Sequence, residues 1–219
     1  MLEADPLAVL AAAGVVPVVS VEDAATAVTL SRLLVEHGLP VVEITFRTDA
    51  ARDAIAAVAA AVPEITIVAG TVLTPAQAEE ALTAGAHLLV APGTNPNVVR
   101  RAAELGVPML PGVCTPTDLE AALELGVTTV KFFPAEAIGG VPYLKALSAP
   151  YAGVRFNPTG GITLERLGDW LAVPSVIACG GSWLAPAGDL AAGRFDDIGA
   201  RVDAAVQRVA EVRRASSGG

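Results

Sequence analysis

The chain has almost no lysine: of its 14 basic residues only Lys131 and Lys145 are lysine. Positive charge is scarce altogether, and the formal net charge is -9 over 219 residues. That balance excludes a sequence-independent hold on nucleic acid or an anionic membrane surface, because both need clustered cations. An anion bound by this protein must meet a local site. The two cysteines, Cys114 and Cys179, stand far apart with no CxxC, and only His37 and His87 could assist them. A structural zinc site is not expected, and a reducing cytoplasm fits. Long apolar runs are missing as well. The uncharged stretch nearest the start, residues 6–21, contains Gly14 and Pro17, and the start Met1-Leu2-Glu3-Ala4-Asp5 is acidic where a secretory leader would be basic. Neither a membrane span nor a signal peptide is expected.

No Pro/Gly/Ser-rich or charged break interrupts the interior, so one domain is expected over residues 1–214, with residues 215–219 as a disordered tail. What fills that domain is an alternation of short β-branched runs with alanine-rich stretches, the pattern of repeated βα units around parallel strands. Strands are expected at 15–19, 41–46, 65–69, 87–91, 108–111, 128–133, 154–157 and 175–178. Helix starts are marked by Ser20 with Asp23, Thr48-Asp49, Thr74-Pro75, Asn95-Pro96, Thr115-Pro116 and Thr163-Leu164, each a capping side chain before an early helical residue. Gly38, Gly85, Gly106 and Gly126 supply the stops. Thr74-Pro75…Glu79…Ala81-Leu82…Gly85 recurs 41 positions on as Thr115-Pro116…Glu120…Ala122-Leu123…Gly126. A leucine-rich solenoid would also repeat, but no leucine ladder is present. The expected fold is α/β, a single-domain (βα)8 TIM barrel with an extra N-terminal helix at 7–13. A doubly wound open sheet is the rival, distinguished by having one crevice rather than a rim of strand ends.

Polar residues fall where a barrel would collect chemistry. In the second strand Val42, Ile44 and Phe46 share the face for helices, and Val41, Glu43, Thr45 and Arg47 share the inward one. In the sixth, Thr129, Lys131 and Phe133 point inward. Lysine inside such an apolar run costs several kcal/mol unless something compensates. It can escape by giving up its proton, and a neutral amine is a nucleophile for carbonyl carbons; guanidinium has no such option. Glu43, Arg47 and Lys131 are therefore expected to converge, either as a catalytic group or as a buried pair that only fixes register. Thr159-Gly160-Gly161-Ile162 and Gly180-Gly181-Ser182, after the two last strands, suit an anion approached by backbone N–H groups. Thr71 and Pro92-Gly93-Thr94 complete the rim. Cys114 has no neighbour in sequence to activate it and reads as packing; His37 and His87 read as structural.

Glu43-Ile44-Thr45-Phe46-Arg47-Thr48, Ala69-Gly70-Thr71-Val72-Leu73, Lys131-Phe132-Phe133-Pro134-Ala135-Glu136, Pro158-Thr159-Gly160-Gly161-Ile162 and Gly180-Gly181-Ser182-Trp183 together resemble the class I 2-keto-3-deoxy-6-phosphogluconate (KDPG) aldolases. That family also includes the 4-hydroxy-2-oxoglutarate (KHG) aldolases. The likeness departs at Thr94-Asn95-Pro96-Asn97. It implies that Lys131 forms a Schiff base, Glu43 is the general acid/base, and Arg47 with Thr71 contacts the substrate carboxylate. Gly160, Gly161, Gly181 and Ser182 would hold a phosphate beside Thr159, while Pro92 and Phe133 would line a pyruvyl pocket. The implied reaction splits a phosphorylated keto-deoxy sugar acid to pyruvate and D-glyceraldehyde 3-phosphate, with no metal or cofactor because the imine is the electron sink. A C4-epimeric galactonate substrate, 4-hydroxy-2-oxoglutarate, and a non-catalytic phospho-ligand barrel remain as alternatives. Members of the family are commonly homotrimers.

Overall fold

The computed structural model describes residues 5–217. It opens with α1 (Pro6–Ala13), β1 (Val15–Val19), α2 (Ala24–Glu36), β2 (Val41–Thr45), α3 (Ala51–Ala61), β3 (Thr66–Gly70) and α4 (Pro75–Ala84). Next come β4 (Leu88–Val90), α5 (Pro96–Glu104), β5 (Met109–Leu110), β6 (Gly112–Val113), α6 (Pro116–Glu124) and β7 (Thr129–Phe132). The chain ends with α7 (Gly140–Ser148), β8 (Arg155–Pro158), α8 (Leu164–Leu171), β9 (Cys179–Gly181), α9 (Ala187–Ala191) and α10 (Phe195–Ser217). This is an α/β fold in which every strand pair is parallel. Six strands form one sheet in the order β5-β4-β3-β2-β1-β9, and three form another, β6-β7-β8.

Two strands differ from expectation. The fifth is split, because Pro111 has no N–H to donate to a ladder and separates β5 from β6. The last lies at Cys179–Gly181 rather than 175–178. Val176 makes only an isolated bridge to Phe156, while Val15, Val16 and Pro17 of β1 pair with Cys179, Gly180 and Gly181. Gly180 and Gly181 are thus strand residues, not a loop after one. A Cβ on Gly180 would lie 2.3 Å from Thr159 Oγ1, and glycine is what lets β9 run this close to the end of β8. The end of the chain also differs. Helix α10 continues through Ser217, so residues 215–217 are helical where a tail was expected, and Gly218 and Gly219 lie outside the described residues.

Helix ends follow the local chemistry at Thr74, Asn95 and Thr115 and depart from it at Ser20, Thr48 and Thr163, the last of which stands at the N-cap of α8 without a side-chain cap hydrogen bond. Thr74 and Thr115 each close a capping box, with Gln77 and Asp118, ahead of a proline at the first turn. Asp23, rather than Ser20, caps α2 by accepting from Thr26 N–H at 2.8 Å. Thr48 caps nothing. Its hydroxyl donates to the Val21 carbonyl at 2.6 Å, and α3 starts later, at Ala51, with no side-chain cap. The face assignment of the strands holds: Phe132 stacks on Tyr143 of α7 and leans on Trp170 of α8, while Lys131 turns the other way. Among the described residues no helix is long and apolar enough to cross a membrane.

Candidate active site

Lys131 sits in β7 between Gly112 of β6 and Asn157 of β8. Only 6% of it is exposed, and 1% of Glu43 in β2. The Lys131 Nζ donates to Glu43 Oε1 at 3.0 Å, so an amine and a carboxylate from strands of different sheets meet away from water. The neighbouring strands make room with glycine. A Cβ on Gly70 of β3 would stand 2.3 Å from Glu43 Oε1, and one on Gly112 would stand 2.1 Å from the Pro92 carbonyl oxygen. Thr45, also inward, spends its hydroxyl on the Val19 carbonyl at 2.9 Å. Thr71 follows Gly70 in the left-handed region at φ 59°, a conformation that costs a β-branched residue and recurs at functional sites.

Near the pair, though lined by neither Lys131 nor Glu43, opens a cavity of about 640 Å³. Arg47, Phe133, Thr159, Gly160, Gly161 and Ser182 line it, together with Ser20 and Trp183. Phe133 links the two places, since its ring lies 5.8 Å from Lys131 Nζ. Of the expected cluster, Lys131 and Glu43 therefore touch, and Arg47 stands apart as an exposed residue at the cavity, beyond the end of β2. Thr71, Pro92 and Gly181 are not among the lining residues. Gly181 is engaged in β9, with Trp183 packed against it at 2.6 Å from the position of an added Cβ.

Two polar atoms of lining residues, Thr159 Oγ1 and Trp183 Nε1, are buried without a hydrogen bond and packed toward β9, 2.3 Å and 2.6 Å from the positions of an added Cβ on Gly180 and Gly181. A buried donor left unpaired costs about 1–3 kcal/mol. Trp183 was missed as a lining residue by pattern reasoning. Its only signal was its position directly after Gly180-Gly181-Ser182.

The remaining polar candidates stay structural. His87 Nδ1 accepts from Ile67 N–H at 3.0 Å, and burial pushes the ring below the usual histidine range. His37 Nδ1 lies 2.7 Å from Asp203, joining α2 to α10. Burial, then the nearby Asp118 carboxylate, pushes the Cys114 thiol up, away from reactivity. Among the described residues no group of three or more His, Cys, Asp or Glu side chains is placed to hold a metal ion.

An amine kept from water beside an acid, at the strand ends of a parallel α/β fold, is the equipment of a lysine-dependent aldolase, and the fold and site define that class. Known proteins narrow it. A family model described as "KDPG and KHG aldolase" matches residues 7–201, so the chain belongs to that family. It is 48% identical over 184 residues to the 2-dehydro-3-deoxy-phosphogluconate aldolase of Treponema pallidum, covering 84% of this chain and 88% of that one. The solved KDPG aldolase of Legionella pneumophila, with pyruvate captured at low pH as a covalent carbinolamine intermediate, superposes with a TM-score of 0.88 at 34% identity, covering 93% of this chain and 98% of that one. The 2-keto-3-deoxy-6-phosphogluconate aldolase of Zymomonas mobilis ZM4, solved with 3-phosphoglycerate, gives 0.85 at 39% identity, covering 92% and 95%. Each of these likenesses covers most of both chains.

Proposed function

We propose that this chain is a class I aldolase that reversibly cleaves 2-dehydro-3-deoxy-6-phospho-D-gluconate to pyruvate and D-glyceraldehyde 3-phosphate. The observation that carries the reading is the buried contact between Lys131 Nζ and Glu43 Oε1 at 3.0 Å. At that distance the carboxylate is within direct reach of a proton on the amine, with no water needed between them. Lys131 Nζ attacks the C2 ketone, Glu43 moves the protons that expel water from the carbinolamine, and an iminium results. Glu43, directly or through a water, then takes the C4 hydroxyl proton. The C3–C4 bond breaks, its electrons pass into the iminium to give an enamine, and D-glyceraldehyde 3-phosphate leaves. Protonation at C3 and hydrolysis of the imine release pyruvate and return the amine.

Arg47, exposed at the cavity, and Thr71 are assigned to the substrate carboxylate, and Pro92 and Phe133 to the wall of the pyruvyl pocket. Gly160, Gly161, Gly181 and Ser182 with Thr159 are assigned to the phosphate. The family's own description favours 4-hydroxy-2-oxoglutarate as a second substrate of the same amine.

The reading includes a closed (βα)8 barrel in one domain. It is supported by the Pro111 carbonyl, which accepts from Lys131 N–H at 2.9 Å where the fifth strand is broken. It is supported too by the bridges from Phe156 to Val176 and from Thr159 to Gly180 between the ends of the two sheets. A cytoplasmic location agrees with two free cysteines, and a homotrimer is taken from the family resemblance, to be read by sedimentation. Borohydride reduction in the presence of pyruvate tests the chemistry. A covalent adduct on Lys131 is expected, and activity surviving in Lys131→Arg would exclude the imine.

A further inference from the structure

The Lys131-Phe132-Phe133-Pro134-Ala135-Glu136 stretch ends on a residue that the chemistry above leaves unused. Just past β7, the Ala135 N–H donates to the Thr159 carbonyl at 2.9 Å and the Glu136 N–H to the Gly160 carbonyl at 3.0 Å. The segment after β7 therefore runs along the turn after β8. No space is left between them: a Cβ on Gly160 would lie 3.3 Å from the Phe133 ring, and one on Gly161 would lie 2.9 Å from Glu136 Cβ. Both glycines have positive φ, at 107° and 77°, so the turn tolerates no other residue without strain.

The carboxylate at the other end of Glu136 is also held. Trp170 Nε1, on a fully buried ring of α8, donates to Glu136 Oε1 at 2.8 Å. Arg166 Nε, one turn earlier on α8, lies 3.7 Å from the same oxygen. Glu136 is not among the cavity's lining residues, so its negative charge is directed to α8 and not to a bound anion. One residue thus grips the glycine turn by its backbone and the helix that follows the turn by its side chain.

We propose that Glu136 is a positioning residue for the anion end of the cavity, holding the Gly160-Gly161 turn and α8 in a single geometry. This deepens the aldolase reading and rests on the assignment of that turn to the phosphate. Glu136→Ala is expected to raise KM for the phosphorylated sugar acid about tenfold, the loss of one charge-assisted hydrogen bond, with kcat within about twofold. KM for unphosphorylated 4-hydroxy-2-oxoglutarate stays unchanged. Glu136→Gln, whose amide oxygen still accepts from Trp170, restores KM to within about twofold of the parent.

An unchanged KM in Glu136→Ala, equal losses on both substrates, or a Gln variant as impaired as the Ala variant would overturn the proposal. If Glu136→Ala does not fold, Trp170→Phe removes the same hydrogen bond while keeping a ring, and is read by the same criteria. Borohydride trapping of pyruvate runs alongside on each protein. A parent that traps pyruvate while the KM pattern fails sinks this proposal alone, whereas a parent that traps nothing sinks the aldolase reading beneath it.

Discussion

Two contacts between a cation and a carboxylate, one inside the strand ends and one on the helix rim, are almost the same length and do different work. Lys131 Nζ stands 3.0 Å from Glu43 Oε1 with side chains 7% and 2% exposed. Arg101 Nε of α5 stands 2.8 Å from Glu79 Oε1 of α4 with side chains 36% and 50% exposed. On the rim, water solvates both charges and salt screens them, so the pair adds little. Inside, the cost of removing two charges from water is so large that the pair is a poor choice for stability alone. The choice of cation agrees. The rim uses guanidinium, and the interior uses one of only two lysines, the cation that can release a proton and form an imine.

Removing the interior cation should separate the two regions most widely. Lys131→Ala is expected to cut turnover by about three orders of magnitude or more, with far-UV circular dichroism unchanged. A variant keeping a tenth of the parent's activity would make Lys131 no more than another charge. Changing its partner comes next: Glu43→Gln should slow turnover by roughly a hundredfold to ten-thousandfold, while pyruvate is still trapped on Lys131, more slowly, by borohydride. On the rim, Thr115→Ala opens the capping box of α6 and should cost about 1 kcal/mol in urea unfolding with kcat unchanged. The smallest effect belongs to the counterpart pair. Arg101→Ala should leave both kcat and Tm at the parent's values, and a large fall in either would erase the contrast between surface and interior.

Much of the fold was legible because it is encoded locally. The capping boxes at Thr74 and Thr115 and the positive φ of Gly38, Gly85, Gly106 and Gly126 are written in neighbouring residues, and the structure realises each of them. Thr48 misled for a physical reason: a hydroxyl three residues ahead of a helix can cap it or bond elsewhere, and the Val21 carbonyl brought near by β1 took it. The glycines at 180 and 181 misled in the same way. Glycine is a loop signal unless another strand lies so close that no side chain fits, and that closeness depends on Thr159, twenty-one residues earlier. Trp183, with its unpaired indole N–H beside the cavity, carried no local mark of its place.

By itself the sequence determined the alternation of strands and helices, which face of the strand carrying Lys131 is apolar, and that the interior holds a lysine where arginine would have been the default. These follow from periodicity and side-chain chemistry, which act over a few residues. Only the tertiary structure decided that Glu43 meets that lysine across 88 positions of chain, that Arg47 does not join them, and that Glu136 clasps the glycine turn. Such meetings depend on how parallel strands are ordered and how closely their backbones approach, and nothing local in the chain records either.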